Sequence, residues 1–182
     1  MNNVPQNIND WETTEEWEYI WVPQRRYENI YNQAVESANN KDVGGFVKNM
    51  SSLADVKERS EGDLYAFRED PKHEIIGEAQ MQLANFFLFG AKQTEDGGVI
   101  KTKKDLKKAV YYTKLSAKNG NVSAQQNLAT MYEDCNSPDG EQLPDIEQDY
   151  KKALNLYRLA AKQGLEVAKK DGANLYKKMK GV

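Results

Sequence analysis

Small and aromatic residues recur at fixed spacing along the second half of the chain. One group stands at i, i+4, i+5 and i+8: Ala79, Leu83, Ala84 and Phe87. The same spacing returns in two later groups: Ala124, Leu128, Ala129 and Tyr132, then Ala168, Gly172, Ala173 and Tyr176. These positions share one face of an α-helix. Small residues let two helices approach closely, so the pattern predicts three equivalent, closely packed helices.

A second pattern alternates with the first and begins at an aspartate. Residues 105–120 and 149–164 share Asp, Lys-Lys-Ala, an aromatic residue, a later Ala and a final Gly at an offset of 44. Asp105 and Asp149 stand where an N-cap acid is favoured. Gly120 and Gly164 can take the left-handed conformation that closes a helix. The unit is therefore a helix hairpin, and its copies are expected to stack because one hairpin cannot bury its own apolar face.

These residues resemble the Sel-one-like repeat family, a relative of the tetratricopeptide repeats. The matches to the family pattern are Gly98-Val99 in the loop, Lys108-Ala109 with Tyr111-Tyr112, and Lys152-Ala153 with Tyr157 and Ala160-Ala161. The resemblance implies an all-α fold, a right-handed α-solenoid of stacked antiparallel helix hairpins. Within residues 78–182 it implies two repeats, at 78–120 and 123–164, and a closing helix at 167–179.

The chain departs from the family pattern in two places. The loop at 133–149 is longer and acidic where a Gly-Val loop is expected, and we interpret it as a solvated insertion. Gly172 stands where the pattern has Leu, which predicts weaker packing of the closing helix.

The first 77 residues do not match the repeat pattern clearly. Residues 25–77 are predicted to form divergent capping helices, at about 25–40 and 46–58, followed by a loop around Pro71. Residues 1–24 form a Trp-rich arm, in which Trp17 and Trp21 fit either a helical or a strand period. The arm either folds back over the open end of the solenoid or docks into a partner, since Trp is a common interface anchor.

The inner face of the solenoid is the expected binding surface, because the first helix of each hairpin lines it. Positions beside the packing stripe are the candidates for contact with a partner: Met81, Asn85, Phe89, Gln126, Thr130, Glu133, Lys170, Asn174 and Lys177. The run from Phe86 to Phe89 is too apolar for one packed stripe. Part of it should therefore meet the N-terminal region or be exposed.

Charge is segregated along the chain, although the net formal charge is only −3. Residues 101–120 carry seven Lys and one acid, residues 133–149 carry seven acids and no base, and residues 150–182 carry nine bases and two acids. Solvated helix faces or a charged binding surface would both explain these blocks. Nucleic-acid binding is not expected, because the basic residues lie beside a strong acidic block.

The residues that most enzymes and metal sites need are scarce. The chain has one His, His73, and one Cys, Cys135, and nothing local pairs them. No catalytic residue, metal site or cofactor is therefore predicted. The acidic loop does not place its Gly and its ligand residues as a calcium loop requires. No stretch approaches the length of a membrane span, and no signal peptide is visible. We expect a cytoplasmic protein, or a periplasmic one if a leader has been removed.

The function expected from the resemblance is protein binding without catalysis. The narrower hypothesis is a bacterial immunity protein that holds a cognate toxin or secreted effector, because the charge blocks suit fast electrostatic capture. Two alternatives from other classes stay open. One is a hydrolase that uses carboxylates of the acidic loop, and the other is a structural homo-oligomer. The expected oligomeric state is therefore a monomer or a homodimer.

Overall fold

The computed structural model describes residues 16–55 and 71–181, with side chains from residue 27 and residue 74 onwards in the two ranges. The elements in chain order are α1 (Glu16–Asn39), α2 (Val43–Ala54), α3 (Pro71–Phe89), β1 (Ala91–Gln93), β2 (Val99–Lys101), α4 (Leu106–Lys118), α5 (Val122–Asp134), α6 (Tyr150–Lys162) and α7 (Glu166–Lys180). Residues 1–15, which hold most of the predicted arm, lie outside the described residues.

The helices form successive hairpins, α1 with α2, α3 with α4 and α5 with α6, and α7 follows alone. Each helix packs on the next along the chain, and α1 also packs on α3. We call α1, α3, α5 and α7 the A helices, and α2, α4 and α6 the B helices. The predicted all-α solenoid of stacked hairpins is confirmed. The described residues also hold a short antiparallel sheet, β1–β2, which pairs Lys92 with Ile100, and an isolated antiparallel bridge between Asn136 and Gln142.

The small residues of the sequence pattern occupy the helix contacts as predicted, except Ala173 of the last helix, which is exposed. Ala79, Ala124 and Ala168 are all at most 1 % exposed. They bring neighbouring helices together, because a larger side chain at these positions would hold the helices apart. The buried apolar residues of the described part form two clusters, one from the first hairpin to α5 and the acidic loop and one between α5, α6 and α7, and the partly buried Tyr132 and Leu156 pack against both.

Local sequence signals set the helix ends. The side chains of Asp105 and Asp149 accept hydrogen bonds from the backbone N–H of Lys108 and Lys152, each at 3.0 Å. Both aspartates are thus N-caps, which satisfy backbone donors that the first turn leaves free. The loops after α4 and α6 turn at Gly120 and Gly164, whose φ angles are +84° and +93°.

The prediction of a loop around Pro71 is wrong from that residue onwards, because α3 begins at Pro71. Proline suits the first position of a helix, since its missing N–H has no partner there in any case. His73 therefore lies in a helix, not in a loop. The preceding residues 56–70 lie outside the described residues.

The acidic loop at 133–149 is not a solvated insertion. Leu143 and Ile146 are 2 % and 6 % exposed and belong to the core that includes the first repeat. The backbone N–H of Leu143 donates to the oxygen of Cys135 at 2.8 Å. Two apolar side chains hold the loop on the body of the protein, while five of its seven acids are exposed: Asp134, Asp139, Glu141, Asp145 and Glu147.

This loop also contains the same turn as the loop of the first repeat. The repeat pattern in the sequence did not indicate this similarity. Thr-Glu-Asp-Gly in the first repeat and Ser-Pro-Asp-Gly in the second form the same turn. Gly97 N–H donates to Thr94 O at 3.0 Å, and Gly140 N–H donates to Ser137 O at 2.9 Å. Gly97 and Gly140 have φ angles of +81° and +85°. The two loops are therefore equivalent, although only the first has the expected Gly-Val pair.

Gly172 does not weaken the packing of α7 in the way the sequence suggested. A Cβ atom at Gly172 would lie 3.1 Å from the Cβ of Tyr157. The absence of a side chain at Gly172 therefore leaves the space that the Tyr157 side chain occupies between α6 and α7, where Tyr157 is 2 % exposed.

The apolar run from Phe86 to Phe89 divides between core and surface, as expected. The ring of Phe86 packs edge-on against Phe46 of α2, with centroids 5.1 Å apart. Phe87 stacks on Tyr112 of α4 at 6.2 Å. Phe89, in contrast, is 51 % exposed.

Candidate protein-binding surfaces

The structure separates the nine predicted contact residues into three groups. Met81 is 6 % exposed and lies in the core cluster, so its prediction as a contact residue is wrong. Helical spacing placed it beside the packing stripe, but neighbouring helices cover that side of α3 too. The exposed group is Phe89, Thr130, Lys170, Asn174 and Lys177, and the half-buried group is Asn85, Gln126 and Glu133.

Three of these residues take part in a polar network that ties α5 to its neighbours. Gln126 donates to the Asp171 carboxylate of α7 at 2.7 Å. The Thr130 hydroxyl lies 3.2 Å from the Tyr157 hydroxyl, which donates to Glu133 at 3.1 Å. Adjacent A helices are thus joined directly by side chains. These contacts stabilise the stack in addition to shaping its surface.

Tyr157 is the residue of this network whose acidity changes most. Burial, the largest cause, and the nearby Glu133 carboxylate together raise its pKa to about 12, against the opposing effect of the hydrogen bond with Thr130. The phenol therefore stays protonated and donates to the carboxylate. Lys178 completes the network from α7, with its ammonium 3.4 Å from Glu133.

Equivalent positions on three A helices form a polar row. Asn85, Thr130 and Asn174 lie at offsets of 45 and 44 residues, the same offsets that relate Ala79, Ala124 and Ala168. The amides of Asn85 and Asn174 make no hydrogen bond with any described residue. The Oε1 atom of the neighbouring Gln126 is buried and has no partner in the described part of the chain. The row thus offers unused donors and acceptors.

Sequence reasoning missed a second set of equivalent residues, which lies inside the stack. Gln80 donates to Ala54 O at 3.0 Å and accepts from Asn119 at 2.8 Å. Gln125 repeats this geometry, donating to Ala117 O at 3.3 Å and accepting from Gln163 at 2.8 Å.

We call Gln80 and Gln125 the glutamine ladder, because each joins the C-terminal ends of two successive B helices. Both side chains are 3 % exposed. The equivalent residue on α7 is Lys169, which is exposed and pairs with Glu166. A lysine cannot be buried there without a charged partner, so the ladder ends at α7. The signal was present in the sequence, since each of the three residues directly follows an alanine of the packing stripe.

Two features of the described residues bear on metal binding and on membrane insertion. No group of three or more His, Cys, Asp or Glu side chains there could hold a metal ion. No helix among these residues has the length and apolar character needed to cross a membrane.

Stacked hairpins with equivalent packing positions define a helical-repeat solenoid. The family model of the Sel1 repeat matches residues 77–121 and 139–165. These two segments of the chain therefore carry Sel1-like repeats, as the sequence resemblance indicated. Sel1 repeats are in general modules of protein–protein interaction. The comparisons with curated proteins and with solved structures gave no match.

Proposed function

We propose that this protein is a non-enzymatic binding module that holds a partner protein along the polar row of its A helices. The observation that carries the proposal is the repeated position of Asn85, Thr130 and Asn174. An extended segment of a partner has a donor and an acceptor at every residue. Amide and hydroxyl side chains at regular spacing suit such a segment, because they can donate and accept.

The surroundings of the row support binding by a mixed surface. Phe89, at the end of α3, adds an exposed aromatic ring, and Lys170 and Lys177 add positive charge on α7. The rest of the network already holds its partners within the chain, so the stack does not need to rearrange when a ligand binds. A preformed surface of this kind loses little conformational entropy on binding.

An affinity capture from native lysate tests the proposal. The bait variant carries Asn85→Arg, Thr130→Arg and Asn174→Arg. The matched control carries Ser52→Arg, Gln142→Arg and Asn155→Arg, which add the same charge at exposed positions away from the A helices. Circular dichroism establishes that each bait is folded.

The expected result is one stoichiometric partner that the wild type and the control capture and the row variant loses. Equal capture by both variants would move the binding site away from the row. If the folded wild type captures no partner, the binding-module proposal itself is contradicted.

A narrower form of the proposal is an immunity protein that neutralises a toxin. Its support is the segregation of charge, with seven acids at residues 133–149 followed by nine bases at 150–182. Complementary charge accelerates association, which a toxin inhibitor needs. Coexpression with toxins of neighbouring genes tests it: rescue of growth together with a stable complex is expected. Lack of rescue by every such toxin would remove this form and leave the broader one.

A further inference from the structure

The last helix of the stack differs from the other A helices in what covers it. The B helices α4 and α6 pack on α3 and α5, whereas α7 packs on α6 and has no B helix of its own in the described part of the chain. Equivalent positions show the consequence. Ala84 and Ala129 are at most 1 % exposed, but Ala173 is exposed. The surface that a B helix covers in the two complete repeats is therefore uncovered on α7.

An apolar groove borders this uncovered surface. The ring of Tyr176 is 47 % exposed, whereas the equivalent ring of Phe87 in α3 is 6 % exposed. A groove with a volume of about 270 Å³ lies between α6 and α7. We call it the α6–α7 groove, and its apolar lining is formed by Leu154, Tyr157, Ala161, Gly172, Ala173 and Tyr176.

The α6–α7 groove corresponds to the place where α6 packs one hairpin earlier. The equivalent residues of α4 and α5, at an offset of 44, are Val110, Ala117, Leu128 and Ala129. They are at most 6 % exposed, in the part of the stack where α6 packs on α5 and the loop before it contacts α4. Ala153 of α6 is fully buried in one cluster with Ala129. A helix that packs on α7 as α6 packs on α5 would therefore fit the groove.

The groove requires a different residue at the start of such a helix. In the second repeat the ammonium of Lys152 lies 5.3 Å from the centroid of the Tyr132 ring, and the first repeat has the same arrangement. The ring of Tyr176 already has a cation, because Lys180 of the same helix lies 5.9 Å from its centroid. A second lysine would be repelled there, whereas an acid would be attracted. The helix dipole also favours acids in the first turn.

The requirement at the end of the helix changes in the same direction. Gln163, directly after α6, donates to Gln125 at 2.8 Å. The residue of α7 equivalent to Gln125 is Lys169, whose ammonium has no acceptor for such a donor but can bind a carboxylate. The present partner of Lys169 is Glu166 at 3.8 Å, and both side chains are more than 70 % exposed. An exposed pair of this kind contributes little, so an acid of an incoming helix can replace Glu166.

The charge around the groove distinguishes between possible occupants. Helix α7 carries five lysines and two acids. Lys170, Lys177 and Lys180 form no ion pair with the described residues, and neither does Arg158, which lines the groove. A second copy of α7 would bring the same lysines, and α4 and α6 contain no acid. Like charges therefore oppose these helices of a second copy, and an acidic helix of another protein is favoured.

We propose that the α6–α7 groove is a docking site for an amphipathic helix of another protein. This helix has a small residue opposite Ala173 and an acid at each end, facing Lys180 and Lys169. The site goes beyond the proposed function, because it is separate from the polar row. Each residue turns an α-helix by about 100°, so Asn174 of the row faces away from Ala173 by that angle.

Titration of the full chain with a designed helical peptide tests the proposal. The peptide has the sequence of residues 148–164, which include α6, with Lys152→Glu and Gln163→Glu. Short helices are marginal in water, so a hydrocarbon staple between positions 158 and 162 holds the peptide helical, as circular dichroism establishes beforehand. A control isomer carries Lys151→Glu and Asn155→Glu instead. It has the same net charge, but its acids lie at exposed positions away from the helix contact.

Fluorescence polarisation of the labelled peptides measures the Kd. We expect the first peptide to bind with a Kd lower than that of the isomer by about tenfold or more. The protein variant Ala173→Gln adds bulk at the close helix contact and should raise this Kd by about tenfold or more. The matched variant Val167→Gln should leave it unchanged, because Val167 is 57 % exposed and lies about 120° from Ala173 around α7.

Three results of this titration would overturn the proposal. They are the absence of saturable binding by the helical peptide, equal Kd values for the two peptides, and equal Kd values for the two protein variants. Sedimentation velocity tests the other occupant, a second copy of the chain. Wild type and Ala173→Gln should sediment alike, whereas self-association that Ala173→Gln abolishes would assign the groove to a second copy and contradict the proposal.

Discussion

The glutamine ladder offers the sharpest test of how the repeats are joined. Gln80→Met keeps the length and approximate volume of the side chain but removes both the donor and the acceptor of its amide. The variant loses two hydrogen bonds, at 3.0 Å and 2.8 Å. Each contributes ~1 kcal/mol net, and the buried oxygen of Ala54 is left without this donor at a further ~1–3 kcal/mol. We therefore expect the free energy of unfolding to fall by about 3–5 kcal/mol.

Two further variants make the comparison specific. Gln125→Met should cost less, about 1–2 kcal/mol, because Ala117 O still accepts from Gly120 N–H and the exposed Gln163 can bond to water. Lys169→Met changes the equivalent residue of α7, where no ladder bond exists. It should stay within about 0.5 kcal/mol of the wild type.

Urea denaturation followed by far-ultraviolet circular dichroism measures these differences. The expected order of destabilisation is Gln80→Met, then Gln125→Met, then Lys169→Met. Because stability in stacked repeats depends on the interfaces between neighbours, the loss should also broaden the transition of the Gln80 variant. Equal stability of all three variants would refute the view that the ladder couples successive B helices.

Three further predictions concern the second repeat and α7. Gly172→Leu, which restores the family residue, should destabilise by ~1–3 kcal/mol because its side chain would collide with Tyr157; a gain in thermal stability would contradict this. Because the pKa of Tyr157 rises from 10.0 to about 12 on folding, its contribution to stability should be complete below pH 10 and should fall towards pH 12. Urea titrations at each pH should show that Tyr157→Phe removes the part of this decline that Tyr157 causes, and an unchanged decline in the variant would argue against this role of Tyr157. Ile146→Ala should cost ~2 kcal/mol or more in urea denaturation, whereas the exposed neighbour variant Glu147→Ala should cost little, and equal effects would mean that the loop is not anchored.

Much of the fold could be predicted because its signals are local. An aspartate three residues before the backbone N–H that it caps, and a glycine with positive φ after the helix, act within a few residues. These signals repeat at an offset of 44, which also reveals the stacking. Hence Asp105, Asp149, Gly120 and Gly164 were assigned correctly from the sequence.

The candidate site was predicted less completely, for a physical reason. Helical periodicity shows which residues share a face, but it does not show which neighbouring helix covers that face. Met81 and Phe89 both lie beside the packing stripe, yet one is 6 % exposed and the other 51 %. Their difference depends on where the adjacent helices end.

The sequence by itself determined the hairpins, their caps and their repetition, since these follow from short-range hydrogen bonding and from repeated small residues at helix contacts. Only the tertiary structure decided which polar residues were buried. In the folded chain Leu143 and Ile146 hold the acidic loop on the core, and Tyr157 packs beside Gly172. Gln80 and Gln125 hydrogen-bond to the ends of the B helices. Each of these features joins residues that are 15 or more positions apart or on different helices, and such contacts exist only once the hairpins have stacked.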